Sequence, residues 1–323
     1  MPQPVRRWRS GVAATAVLGL TLTACGGAKV GEDTGAAGGG PGKCGTFNLA
    51  VSPWVGYEAN AAVIAHVAEK ELGCEVVQKD LKAEIGWQGF ESGEVDAIVE
   101  NWGHPDLKKK YITEQKTAVN LGPTGNKGII GWYIPPWIAK KYPDITNWKN
   151  LNKYASKFKT SESGGKGQLL DGDPSYQTND EALVQNLKLD FKVVYAGSET
   201  ALIQAFRDAE QNKKWVIGYF YEPQWLFSEV PLAHIDLPKH TAGCDADPAK
   251  VDCDYPVFDL DKIVSTRFAK SGSPAYDLVK NFNWTNDDQN TVAKYIALDK
   301  MTPEAAAKKW VEAHPDKVKG WLG

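Results

Sequence analysis

The chain has 323 residues, 42% of them hydrophobic, which is more apolar material than a single core usually organises, so two domains are expected. Its 37 basic and 40 acidic side chains give a net charge of −3 at pH 7, a balance that argues against a nucleic-acid binder. At the N-terminus Arg6, Arg7 and Arg9 precede an apolar run, Val12 to Leu22, that is too short to span a bilayer stably; this is the layout of a signal peptide over residues 1–24. Losing that segment removes three arginines and no acid, which takes the net charge from −3 to −6.

The run closes on Leu22-Thr-Ala-Cys25, which resembles a bacterial lipobox, so Cys25 is expected to become an acylated mature N-terminus. Gly26 to Lys43 is rich in Gly and Ala and almost free of large apolar side chains. It cannot bury enough surface to offset the entropy of ordering, and residues 25–43 read as a lipidated flexible tether.

Beyond the tether, strand and helix patterns alternate. Phe47, Leu49 and Val51 have the period of a strand, and Tyr57 to Leu72 carries apolar residues at helical spacing up to Gly73, a natural stop. Glu75-Val-Val reads as a short strand, Ile85 to Ser92 as a helix closed by Gly93, and Val95 to Val99 and Gly128 to Tyr133 as strands. After the Asp171-Gly-Asp-Pro turn, Thr178 to Leu187 reads as a helix and Lys192 to Tyr195 as a strand. Ser198 is placed to cap a helix over Glu199 to Asn212, Trp215 to Phe220 follows as a strand, and Thr302-Pro303 opens a helix toward the C-terminus. The alternation predicts an α/β fold with parallel sheets covered by helices on both faces.

Four cysteines remain after Cys25, namely Cys44, Cys74, Cys244 and Cys253, and an even remainder in an exported chain suggests two disulfides. Cys44 with Cys74 is the favoured pair, because each sits just ahead of a predicted strand and neighbouring parallel strands bring their starts together. Cys244 with Cys253 then closes a short acidic loop. A zinc site including His240 lacks CxxC spacing, and no metal or other cofactor is expected.

Two apolar stretches run straight into aromatic turns: Glu94-Val-Asp-Ala-Ile-Val-Glu-Asn-Trp102-Gly-His-Pro105 and Trp215-Val-Ile-Gly-Tyr-Phe-Tyr221-Glu-Pro-Gln-Trp225. A single Trp at a strand end is most often core, since it buries a large area and satisfies its one N–H easily. A pair of such turns with acidic neighbours suits the holding of a cation. There is no GxSxG, HExxH or phosphate-loop motif, and His104-Pro-Asp106 is only a weak hint of acid–base or metal chemistry. The Asp-rich stretch from Asp245 to Asp261 lacks the spacing of a calcium loop.

With Phe90-Glu-Ser-Gly-Glu-Val-Asp-Ala-Ile-Val-Glu-Asn-Trp102, Tyr219-Phe-Tyr-Glu-Pro-Gln-Trp225 and the tail from Ala305 through Trp310 to Trp321-Leu322, the chain resembles the substrate-binding lipoproteins of glycine betaine and choline ABC transporters, the OpuAC and ProX-like group. The resemblance covers about Thr46 to Leu322. It implies a two-lobed periplasmic-binding-protein-like fold with two interlobe crossings and a ligand cleft. Residues 44–131 with 238–323 are expected to form one lobe and 132–237 the other. It also implies an extracytoplasmic, lipid-anchored monomer at the cell membrane that hands a quaternary amine to an ABC permease and its ATPase.

The resemblance assigns Trp102, Tyr176 and Tyr221 to an aromatic cage, with Trp225, Trp54 and Tyr133 as further walls. A quaternary ammonium donates no hydrogen bond, so attraction to π-faces is the discriminating contact left to a binding site. For a ligand carboxylate, the backbone N–H groups of Val55, Gly56 and Tyr57, at a strand-to-helix turn, are the candidate anion site. The chain departs from the family's Trp-x-Pro-His-Trp turn: Tyr221 replaces the first Trp and Gln224 the His. Glu100 and Glu222 add negative charge, which raises choline as a rival to glycine betaine. The alternative reading is a surface-anchored enzyme or sensor using Glu100, His104 and Asp106.

Overall fold

The computed structural model describes residues 44–323 apart from Gln177. The signal peptide, the tether and Cys25 lie outside the described residues. Among the described residues nine strands form one mixed sheet: β1 (Thr46–Val51), β2 (Glu75–Asp80), β3 (Ala97–Asn101), β4 (Ala118–Ile134), β5 (Gly167–Asp171), β6 (Phe191–Tyr195), β7 (Gly218–Glu222), β8 (Ala233–His234) and β9 (Phe258–Ser265). Their order is β2-β1-β3-β9-β4-β7-β5-β6, with β8 paired to β4.

Strand β1 is parallel to β2 and β3, and β5 is parallel to β6 and β7, as strand–helix alternation predicts. The two strands at the centre break that rule, since β9 runs antiparallel to β3 and β4, and β4 antiparallel to β7. Strand β4 joins the halves of the sheet. Ala118 to Gly128 pairs with β9, and Ile129 to Tyr133 pairs with β7. Only its last third reads as a strand in the sequence, because the register shifts around Pro123 and Lys127 break the alternation.

The helix Val55–Leu72 starts two residues before the expected Tyr57 and stops at Gly73, whose φ of 64° is left-handed. Its small side chains let it bury almost its whole length against the helices Asn286–Ala297 and Pro303–Ala313. The helix Glu199–Gln211 begins where Ser198 accepts a hydrogen bond from the Ala201 N–H. A further helix, Asn286–Ala297, opens on a capping box between Thr285 and Asp288, a start signal that the sequence contains as Thr-x-x-Asp.

Apolar side chains collect in two cores. The first holds Phe47, Leu49, Val67, Trp87, Val264 and Trp310 and continues through Phe206, Phe220 and Tyr221. The second holds Trp132, Ile138, Phe158, Leu169 and Phe191, and also Val251, Cys253 and Tyr255. Trp87, Trp132, Trp284 and Trp310 are fully buried. Cys44 is bonded to Cys74 and Cys244 to Cys253, with Cα atoms 4.7 and 6.2 Å apart. The first bond lies where parallel β1 and β2 begin, with Thr46 opposite Glu75. No helix among the described residues is long and apolar enough to cross a membrane.

Candidate functional site

The aromatic residues meet where strands end. Trp54 follows β1 and starts the helix Val55–Leu72, Trp102 follows β3, Tyr176 follows β5, and Tyr221 is the penultimate residue of β7. The C-terminal ends of strands are where open α/β sheets leave room for ligands. Each ring in this set stands nearly perpendicular to the next. Trp54 meets Tyr176 at 5.9 Å between centroids and 89°, Tyr176 meets Tyr221 at 6.5 Å and 89°, and Tyr221 meets Trp102 at 5.7 Å and 87°.

Glu100 closes the row from behind. Its Oε1 accepts the indole N–H of Trp54 at 2.9 Å and that of Trp102 at 2.7 Å. Its Oε2 accepts Gln289 Nε2 at 2.9 Å and Asn60 Nδ2. Burial pushes the Glu100 carboxyl up to about 7, against the pull of the Trp102, Trp54, Gln289 and Asn60 donors. Glu100 is therefore the acceptor that orients two indoles. A cavity beside it is lined by Ser52, Trp54, Glu100, Trp102 and His104.

A second buried carboxylate, Glu199, meets the row at Tyr221. Its Oε1 accepts the Tyr221 hydroxyl at 2.5 Å and Gln224 Nε2 at 3.1 Å, and its Oε2 accepts the Val55 N–H at 2.9 Å. The Gln224 amide has a fixed orientation, since its Oε1 accepts the Leu226 N–H at 2.6 Å. Burial raises the Glu199 pKa, and the Tyr221, Val55 and Gln224 donors oppose the rise. The Val55 amide that the sequence offers to a ligand carboxylate thus already carries one from the protein. Gly56 is buried against the Gln289 side chain, and the Tyr57 hydroxyl accepts the Val99 N–H at 3.1 Å within the core.

Three expected positions stand apart from this row. Tyr133 pairs with Gly218 in the sheet and packs against Phe220, Phe227 and His234, on the face opposite Tyr219 and Tyr221. Strand parity explains this, because side chains alternate along β4 and β7. Glu222 shares the face of Phe220, and burial raises its pKa while His234 lowers it. Trp225 is 3% exposed and opens a short turn behind Gln224. As for the acid–base alternative, the Glu100 carboxylate is engaged by four N–H donors and Asp106 lies exposed in the helix Pro105–Leu107.

Three residues of the site, Asn60, Glu199 and Gln289, escape the sequence reading. Only Glu199 lies near a motif, the Ser198 cap. The Thr285 capping box would have predicted the helix that carries Gln289, but not its reach to Glu100.

A family model described as the substrate binding domain of ABC-type glycine betaine transport systems matches residues 45–313. A trimethylamine N-oxide-binding protein from Pelagibacter ubique is 27% identical over 265 residues, 77% of this chain and 83% of that protein. Among solved structures, lactococcal OpuAC in its closed form with glycine betaine superposes with a TM-score of 0.68 at 24% identity, covering 86% of this chain and 99% of that one. An ABC-transporter choline binding protein in complex with choline gives 0.69 at 17% identity, covering 86% and 92%. These likenesses establish the two-lobed binding-protein fold, and with 269 consecutive residues inside the family model the chain belongs to the substrate-binding domains of ABC-type glycine betaine transport systems.

Proposed function

We propose that this protein captures a quaternary amine of the glycine betaine or choline type between Trp54, Tyr176, Tyr221 and Trp102 and delivers it to an ABC permease. The observation that carries the reading is the run of three perpendicular ring pairs. A methylated ammonium ion held against these ring faces falls inside the ~6 Å reach of cation–π attraction. At about 0.5 to 2 kcal/mol per ring the cage supplies a large share of the ~8 kcal/mol that micromolar binding needs.

The named relatives bind trimethylamine N-oxide, glycine betaine and choline, all methylated amines, and this favours the same chemistry here. Strand pairing supports a crossing between the lobes inside β4, whose Ala118–Gly128 stretch pairs with β9 and whose Ile129–Tyr133 stretch pairs with β7, and the packing of Val251, Cys253 and Tyr255 with Trp132 and Leu169 supports a second crossing just before β9 rather than at residue 237. The lipobox supports anchoring through Cys25 on the outer face of the membrane, with residues 26–43 as the tether.

Calorimetric titration of the 44–323 fragment with glycine betaine and with choline tests the reading. Micromolar binding of either that weakens at least tenfold in Trp102→Ala, and is partly restored in Trp102→Phe, is the expected result. Binding that ignores both substitutions overturns it.

A further inference from the structure

Glu199 belongs to the second lobe's helix Glu199–Gln211, yet its carboxylate reaches the first turn of the helix Val55–Leu72 and accepts the N–H of Val55. It holds Val55 N–H, the Tyr221 hydroxyl and Gln224 Nε2 at 2.9, 2.5 and 3.1 Å. These are the donors that the turn and the cage rim would offer to the anionic end of a ligand. The residue is 7% exposed, so it has little water to screen its charge.

We propose that Glu199 is the specificity-determining residue of this site, and that it selects methylated ammonium ions whose positive charge is not balanced by a carboxylate. The proposal rests on the cage reading given above. A zwitterion such as glycine betaine brings a carboxylate toward donors that are already used and toward a fixed negative charge. A choline-type cation brings a hydroxyl, which can donate to Glu199 while the ammonium gains from the nearby anion. Gln224 fits this role: a His able to carry positive charge would favour a ligand carboxylate, whereas a neutral amide that donates to Glu199 and accepts from Leu226 serves to hold the protein's own.

The test is calorimetric titration with choline and with glycine betaine of the wild type, Glu199→Gln and Glu199→Ala, each first checked for a cooperative thermal transition. Glu199→Gln keeps an acceptor and removes the charge. The wild type is expected to bind choline at least tenfold tighter than glycine betaine. In Glu199→Gln that ratio is expected to fall at least tenfold, with part of the change coming from tighter glycine betaine binding, and Glu199→Ala should move it in the same direction. Equal or tighter binding of glycine betaine by the wild type overturns the proposal, whether or not the variants fold. So does a ratio unchanged in Glu199→Gln, and either result leaves the cage reading standing. If the wild type binds neither amine, the proposal and the cage reading fall together.

Discussion

Trp54 and Trp102 donate their indole N–H groups to one oxygen, Oε1 of Glu100, at 2.9 and 2.7 Å. The two residues are 48 positions apart in sequence and end different strands. A single acceptor therefore sets the mutual angle of two walls of the proposed cage.

Removing that acceptor should cost both stability and binding. Glu100→Ala leaves buried N–H donors without partners, and at about 1 to 3 kcal/mol each with partial relaxation we expect a loss of roughly 3 kcal/mol in urea unfolding. Affinity should fall at least tenfold. Glu100→Gln should do much less harm, because Asn60 Oδ1 and Gln289 Oε1 lack partners among the described residues and both amides can turn to accept its N–H groups.

The same residue predicts a pH dependence. The Glu100 carboxyl is raised from 4.5 to about 7 on folding, so its contribution to stability is fully present below 4.5 and is lost as pH rises through 7. From pH 5 to pH 8 the wild type should lose roughly 3 kcal/mol relative to Glu100→Gln, read from paired urea titrations. Asp180, raised to about 8 by burial and by Asp171, acts in the same direction in both proteins and cancels in the comparison. A bound cation favours ionised Glu100, so amine affinity should rise between pH 6 and pH 8 and do so less in Glu100→Gln.

Trp102 also depends on a glycine across the sheet. A Cβ on Gly128 would come within 2.6 Å of the Trp102 ring and 2.8 Å of Leu260 Cδ2. Gly128→Ala should cost about 1 to 3 kcal/mol by overpacking and displace the indole. We expect amine affinity to fall at least fivefold, measured by titration, in a protein that still unfolds cooperatively.

Much of this arrangement was legible in the sequence, and what was not has identifiable causes. Trp102 and Tyr221 stand out because each lies at the end of an apolar stretch, and Cys44 and Cys74 because each sits just ahead of a strand. Tyr133 lies on the other face of the sheet from Tyr219 and Tyr221, a matter of strand parity that a short apolar run does not reveal. Strand β4 was seen only in part, since Gly122, Pro123 and Gly125 lie within its irregular pairing. Glu199 sits in the first turn of its own helix, a favourable place for negative charge. Its actual partner is the start of a different helix, 144 residues away, and contacts of that range leave no local pattern.

The disulfides provide a separate check. Cys44–Cys74 closes a separation of 30 residues and Cys244–Cys253 one of 9. Loop-closure entropy then gives about 3.6 and about 2.6 kcal/mol. Replacing the first pair by Ser should therefore lower the unfolding midpoint more than replacing the second, by thermal denaturation of the two double variants.

The central claim is that aromatic faces hold a positive charge. The most direct measurement is the affinity of the tighter of choline and glycine betaine against that of its carbon analogue, in which a tert-butyl group replaces trimethylammonium at nearly the same size. At about 0.5 to 2 kcal/mol per ring, the account predicts that the carbon analogue binds at least thirtyfold more weakly. Affinities within threefold of each other would show that the rings recognise shape alone, and would contradict it.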